Sequence, residues 1–283
     1  MNYLLHDGNY SKMFLNGRRI QNWIQTRTGA IFAATKTLQD PDVSIVIRSR
    51  NDEEHIRELL SDIRAQIFNG AVEIILVDTE SRDNTVAYAQ AQGAHVISIK
   101  QADFSYPKAL NLGFQAARHT WVVTLVGHSS LSNRLFLKQL TYWSNKERSL
   151  GGIYGLPLAN WNASRWERLE NIIAPRVWKN PSVMSKLSIG IMGANCSIVK
   201  RSVWQSLGGY DERYAAGGED RAFAKSMLDK EIHIVREPLC SVFHSHGLSM
   251  QHSIQQWLHW GEVAKSAAPF ETKKVHDRRP DLR

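Results

Sequence analysis

Cysteine is scarce in this chain: Cys196 and Cys240 are the only two in 283 residues. That is too few for a disulfide framework, and the expectation is a reducing, cytoplasmic setting. No apolar run approaches the roughly 18 residues that a membrane-spanning helix needs. The opening MNYLLHDGNYSKMF lacks the basic-then-apolar order of a secretory signal. Three signatures are also missing. There is no G-x-G-x-x-G, no G-x-x-x-x-G-K-[ST] and no G-x-S-x-G, which counts against a dinucleotide dehydrogenase, a P-loop NTPase and an α/β-type serine hydrolase. Internal repeats and low-complexity tracts are lacking as well.

What is present is an ordinary globular composition, 43% hydrophobic and 22% charged, long enough for one large domain or two small ones. The formal net charge of +8 suggests an anionic partner such as a nucleotide, a phosphorylated substrate or a membrane surface, or a basic surface kept for solubility. Nucleic acid is set aside: no recognisable module and no basic helix with interleaved aromatics is present.

Along the chain, residues 1–41 read as an N-terminal helical extension closed by QDPD, where Pro41 and its flanking acids break a helix. After it, VSIVIRS (43–49), VEIILVD (72–78), AHVISI (94–99) and TWVVTLVG (120–127) read as buried strands. Between them, NDEEHIRELLSDIRAQ, SRDNTVAYAQAQG and SYPKALNLGFQAAR read as helices. In the first, the acids crowd the opening turn, where the helix dipole favours them. Strand alternating with helix predicts an α/β fold with a mostly parallel central sheet flanked by helices. The second half is more mixed. GIYGLPL (152–158) reads as one strand, SIGIMGANCSIVKRSVWQSLGG as strand, turn, strand and short helix, and IHIVREPLCSVFHSHG as two short strands ending on His244 and His246. A smaller mixed sheet is expected there. The tail from residue 251 to 283 reads as an amphipathic helix and a charged end.

Ligands in open parallel sheets sit beyond the carboxyl ends of the strands. The segments delivered there are RSRNDEE, DTESRDNT and GHSS. VSIVIRSRNDEEHIRELL, EIILVDTESRDNT, YPKALNLGFQAA, the later GANCSIVKRSVWQSLGGYDERYAAGGED and finally VFHSHG stand in an order that resembles the GT-A fold, family 2 glycosyltransferases. The resemblance runs from about residue 43 to 250. It implies a nucleotide-binding half (42–130) and an acceptor half (131–250) of one transferase domain (42–250). It also implies an inverting sugar transfer from a nucleotide-diphosphate sugar to a hydroxyl of a glycan, polysaccharide or lipid-linked acceptor. The alternative is a protein that binds sugar nucleotides without turning them over.

Residue by residue, the resemblance assigns Arg48, Asn51, Glu53, Asp78, Glu80, Lys108 and Asn111 to the donor nucleotide, with Asp78 accepting the base N–H. Simpler roles compete for several of them: Asp78 can cap the next helix, and Lys108 and Asn111 can be a polar helix face. GGED offers the catalytic pair, Asp220 as general base and Glu219 in support, against the reading of two acids that merely complement a helix dipole. Gly193, Ala194 and Asn195 line the acceptor side in this picture. One or two of Trp161, Trp166, Trp178 and Trp204 would stack on sugar.

The fourth strand is where the chain departs from the family it resembles. The usual Asp-x-Asp, which touches ribose and holds a divalent cation, is replaced by Gly127-His128-Ser129. Some relatives with rhamnosyl activity are similar in carrying a histidine here. Three roles for His128 stay open: a metal ligand with His244 or His246, a direct partner of the diphosphate with no metal, or an inert residue. Imidazole ligation would favour Mn²⁺ or Zn²⁺ over Mg²⁺. Because His244 and His246 alternate along a predicted strand, only one of them should face the site. Trp257, Trp260 and the basic residues beyond them suit a peripheral contact with the inner face of a membrane, or a helix packed on the domain.

Overall fold

A computed structural model describes residues 27–258 apart from 156, 160–162, 166, 169–179, 189, 215–216, 248, 253, 256–257. Trp161, Trp166, Trp178, Trp257 and Trp260 lie outside the described residues. Strand β1 (Val43–Ser49) is buried along nearly its whole length because it is hydrogen-bonded on both sides. It pairs in parallel with β2 (Val72–Asp78) and with β4 (Trp121–Val126). Buried on both faces, such strands read as continuous β-branched runs rather than alternating ones. β3 (His95–Ser98) adds in parallel to β2. On the other side β9 (Cys196–Lys200) pairs antiparallel with both β4 and β6 (Leu150–Tyr154). β10 (His233–Arg236) runs parallel to β6, and β8 (Ser182–Met184) closes the edge antiparallel to β10. The result is an eight-stranded sheet of order β3-β2-β1-β4-β9-β6-β10-β8.

Helices α1 (Glu53–Arg64), α2 (Thr85–Ala91), α3 (Tyr106–Ala116), α4 (Lys138–Lys146), α5 (Arg201–Ser206) and α6 (Glu219–Asp229) cover the sheet. α1 turns Ile56, Leu59, Leu60 and Ile63 inward, the i, i+3, i+4, i+7 stripe of a helix packed on a core. α3 starts at a serine cap: Ser105 accepts from the Lys108 backbone N–H, and Pro107 occupies the first turn. The core lies in two slabs, one on each face of the sheet, around Ile45, Ile47 and Leu125 and around Val46, Val122 and Val199.

A second sheet has three strands in the order β5-β11-β7. β11 (Val242–Phe243) is antiparallel to β5 (Ser130–Leu131) and parallel to β7 (Pro157–Leu158). The segment expected as one strand over 152–158 is split between β6 and β7. The break is at Gly155, where a Cβ would stand 1.8 Å from the Cys240 carbonyl oxygen, so the chain leaves one sheet and joins the other over a backbone crossing. The predicted strand over SIGIM is absent as well. Gly190 and Met192 have φ of 68° and 56°, which no strand accommodates; Ile191 and Met192 are buried in a turn instead.

The described end of the N-terminal extension is helical over 27–35 and is tied to the main domain by charge. Arg27 reaches the wholly buried Glu237 through Nε at 3.2 Å and Nη2 at 2.7 Å, and Trp143 Nε1 donates to the same carboxylate at 2.9 Å. Asp40 is buried against Lys138, whose Nζ lies 2.7 and 2.8 Å from its two oxygens. It also accepts from Thr141 and from the Asn69 backbone N–H. Removing one partner of a buried pair strands the other. Lys138→Met should therefore cost about 3–5 kcal/mol of unfolding free energy, read from the urea midpoint. Asp40→Leu combined with Lys138→Met should cost clearly less than the single change.

Candidate active site

Parallel pairing sets the site's floor. Ser49 of β1 stands opposite Asp78 of β2, and Arg48 opposite Val126 of β4, so the loops leaving these strands start on one line. The Gly127 N–H donates to the Arg48 carbonyl at 2.8 Å and the Thr79 N–H to the Ser49 carbonyl at 3.0 Å, carrying the sheet bonding one step into the loops. Arg48 then leans across. Its Nη2 donates to the Ala194 carbonyl at 3.3 Å and its guanidinium lies 5.2 Å from the Tyr106 ring centroid, while its buried Nε has no hydrogen-bond partner among the described residues.

The histidines converge. Phe243 pairs with Ser130 in the small sheet, which places the residue after β11 beside the residues before β5. His128 Nε2 lies 3.1 Å from His244 Nε2, and the His246 ring centroid is 5.1 Å from that of His128 and 4.6 Å from that of His244. The expectation that only one of His244 and His246 faces the site is corrected: both do. Strand β11 ends at Phe243, so strand alternation does not govern the two residues beyond it. His246 is held by its backbone N–H, which donates to Glu167 at 2.7 Å, and His244 by a backbone bond to the Leu158 carbonyl at 2.7 Å. Burial, reinforced by His128, His246 and Arg48, holds His244 well below the usual histidine pKa, so it is neutral at neutral pH. One nitrogen from each of the three imidazoles lies within 4.8 Å of the others. A three-nitrogen set of this compactness fits a borderline divalent cation such as Zn²⁺ or Mn²⁺ better than Mg²⁺.

The carboxylate pair opens α6. Gly218, the residue before the helix, has φ 95° and ψ 0°, a conformation that favours glycine; this turn aims Glu219 inward and leaves Asp220 partly open. Burial pushes the Glu219 carboxyl up to about 8, the charge of Asp220 adding to the effect and Arg48 opposing it. Burial raises Asp220 too, against the Arg221 backbone N–H that donates to it at 2.6 Å and against Arg48. The Tyr210 hydroxyl is buried near both acids without a hydrogen-bond partner among the described residues. Asp220 Oδ2 would lie 4.0 Å from a Cβ at Gly193, so the acid pair faces the 193–195 turn.

Other expected residues fall into two groups. Asp78 is buried and accepts from Ser81 through both its backbone N–H and its hydroxyl. Asn51 (φ 52°) accepts from the Arg82 N–H at 2.7 Å, and Glu80 (φ 47°) from the Gln101 N–H at 2.8 Å. These three shape the loops at the strand ends. Lys108 is half-buried in the first turn of α3. Asn111 is corrected. Its amide donates to the Tyr210 carbonyl and to Glu212, and accepts from Trp204 Nε1 and the Tyr210 N–H, so α3 uses it to hold the 204–212 segment and none of its polar capacity is left for a nucleotide. Trp204 is buried against Phe114, a core residue and not a sugar platform. Glu53 is committed as well, its carboxylate bridging Arg57 and Asn84. Missed in the sequence is Asp52, buried at the end of the first loop with Oδ1 3.4 Å from His128 Nδ1. It stands in a run of acids that the helix dipole already accounts for.

Residues 44–208 match the sequence profile of glycosyl transferase family 2. The chain belongs to that family. One relative is the O-antigen chain rhamnosyltransferase WbaN of Salmonella anatum, 23% identical over 199 residues that make up 68% of this chain and 62% of WbaN; the chain thus spans less than two thirds of that relative. Among solved structures, S. aureus TarS 1–349 is similar at a TM-score of 0.56 and 16% identity, over 72% of this chain and 60% of that one. The mannosyltransferase PcManGT from Pyrobaculum calidifontis, in complex with GDP-Man and Mn²⁺, is similar at 0.57 and 15% identity, over 92% and 77%. These likenesses show the GT-A fold.

The pKa of Glu219 makes stability depend on pH in a definite direction. A carboxyl raised from 4.5 to about 8 in the folded state binds its proton more tightly folded than unfolded, so its contribution to stability falls as pH rises through that window. Glu219→Gln removes the titration. The unfolding midpoint of the variant relative to wild type should therefore rise between pH 4.5 and pH 8.5, measured by urea denaturation at both; an unchanged difference would mean that Glu219 titrates normally.

Proposed function

We propose that this chain transfers a sugar, with inversion, from a nucleotide-diphosphate sugar to a hydroxyl of a glycan, polysaccharide or lipid-linked acceptor. The observation that carries the reading is the position of Arg48. Its charge acts on Glu219, Asp220 and His244 together, so the acid pair and the imidazole cluster both lie near the one guanidinium at the carboxyl end of β1. The donor's nucleotide would lie over the β1, β2 and β4 ends, contacted by Asp78, Asn51, Glu80 and Gly127. Its diphosphate would be met by Arg48, Lys108 and the histidines. The acceptor would enter by Gly193, Ala194 and Asn195.

Displacement needs a base within reach of the acceptor hydroxyl. With Glu219 raised to about 8 by burial, that carboxyl holds its proton at neutral pH, and Asp220, partly open at the start of α6, is the acid placed to take the proton of the attacking hydroxyl. That oxygen bonds to the anomeric carbon as the bond to the diphosphate breaks. Arg48 and Lys108 stabilise the charge that develops on the leaving group. A divalent cation, Mn²⁺ or Zn²⁺ before Mg²⁺, would when bound add to that stabilisation, held by His128, His244 and His246; Mn²⁺ in PcManGT supports a metal-dependent site on this fold. WbaN being a rhamnosyltransferase supports a rhamnosyl donor and polysaccharide assembly.

A peripheral membrane contact fits the far end of the chain. No helix among the described residues is long and apolar enough to cross a membrane. Met250, Ile254 and Leu258 are exposed at four-residue spacing, one stripe of a helix.

Two measurements test the reading. UDP, GDP, dTDP and CMP are each added with EDTA, Mg²⁺, Mn²⁺ or Zn²⁺, and the melting temperature is followed. One nucleoside diphosphate should stabilise the protein, most strongly with Mn²⁺ or Zn²⁺; no shift with any of them defeats the proposal. Asp220→Asn should keep that nucleotide shift while sugar transfer falls by at least about 100-fold. Transfer that survives the substitution moves the base elsewhere.

A further inference from the structure

We infer that Asp52 is the positioning carboxylate of the histidine cluster: from the end of the first strand it replaces the negative charge that Asp-x-Asp would have brought from the fourth, and it fixes His128 with the Nε2 lone pair turned toward His244 and His246. The inference rests on the reading of the three imidazoles as a divalent-cation site and deepens it.

The helix start alone does not account for Asp52. It stands at the N-cap of α1 but makes no side-chain cap bond, and it is only 6% exposed. An ionised carboxylate buried to this degree needs compensation. Its partners are few and directional. Oδ2 accepts from Ser49 Oγ at 2.9 Å and from the Arg50 N–H at 3.1 Å. The Asp52 backbone N–H donates to Thr85 Oγ1 at 2.9 Å, fixing the residue from α2. With Oδ2 held, Oδ1 faces His128 Nδ1 at 3.4 Å.

Gly127 is shaped by the same carboxylate. A Cβ at Gly127 would lie 2.4 Å from Asp52 Oδ2 and 2.6 Å from Ser49 Oγ. No other residue type at 127 leaves Asp52 in place, and this is the second, independent sign that the approach is built. The residue after Gly127 is His128, so the close backbone approach and the imidazole–carboxylate contact belong to one turn.

Neutral imidazole carries its proton on one nitrogen. A carboxylate at Nδ1 selects the Nδ1–H form and leaves Nε2 as acceptor. That is the atom 3.1 Å from His244 Nε2, where two unprotonated nitrogens can share a cation. An amide at position 52 can instead donate to Nδ1, which moves the proton to Nε2 and closes the ligand.

The test uses the full chain stripped of metal, with Co²⁺ as the probe and its visible ligand-field bands as the readout. The proteins are wild type, Asp52→Asn, Gly127→Ala and His128→Ala. Wild type should bind Co²⁺ and Zn²⁺ should displace it. Asp52→Asn and Gly127→Ala should each weaken binding about 10- to 100-fold, with unchanged far-UV circular dichroism. A second readout needs no substitution and no metal: two-bond ¹⁵N–¹H correlation spectra of histidine-labelled wild type should show His128 as the Nδ1–H tautomer. If Asp52→Asn folds and binds Co²⁺ within twofold of wild type, or if His128 is Nε2–H in wild type, the role of Asp52 is overturned while the metal site stands. If wild type shows no ligand-field bands at all, the metal reading itself fails and the inference fails with it.

Discussion

The site depends on β1 being hydrogen-bonded in parallel on both sides. That register aligns Arg48 with Val77 and Val126 and Ser49 with Asp78, so three loops of different sequence leave the sheet at one level. Every polar contact at the strand ends follows from it: the Gly127 N–H on the Arg48 carbonyl, the Thr79 N–H on the Ser49 carbonyl, and Asp52 near His128. A slip by one residue in β4 would turn its side chains to the opposite face and carry His128 away from Asp52. The buried β-branched runs, each matched to a face of the core, are what prevent that slip.

The second constraint is the small sheet. It has only short strands, yet its antiparallel pairing of Val242 with Leu131 and Phe243 with Ser130 joins residues more than a hundred positions apart and brings His244 and His246 to His128. Two departures from regular strand geometry make this work. Gly155 lets β6 pass close to the Cys240 carbonyl before β7 begins, and β11 stops at Phe243, freeing both histidines from strand alternation.

How much of this can be read in the sequence follows from how local each signal is. β1 and β2 are legible to the residue because their buried stretches are written as short runs of Val, Ile and Leu. The helices show in their spacing. The acid pair after two glycines is legible because the turn and the helix start are adjacent in the chain. The convergence of the histidines is not: it requires a tertiary pairing of two-residue strands, which no periodicity records. Asp52 and Asn111 fail in opposite ways. Asp52 is hidden among Asp52, Glu53 and Glu54, where the helix dipole explains every acid equally well. Asn111 looks like a ligand residue on a helix, and only the fold reveals that Tyr210, Trp204 and Glu212 use up its amide.

Replacing Asp-x-Asp by Gly-His-Ser changes the charge of the cleft as well as its ligands. Two carboxylates beside a diphosphate repel it unless a cation stands between them, which ties donor binding to the metal. In the proposed complex the groups nearest the diphosphate would be the three imidazoles and the Arg48 guanidinium, with the Asp52 carboxylate on the far side of His128, at its Nδ1. On the proposed reading such a cleft would attract a diphosphate before any ion arrives, and an ion would then add charge stabilisation instead of first cancelling repulsion. Burial also raises the Glu219 carboxyl to about 8, which removes one negative charge from the acid pair at neutral pH.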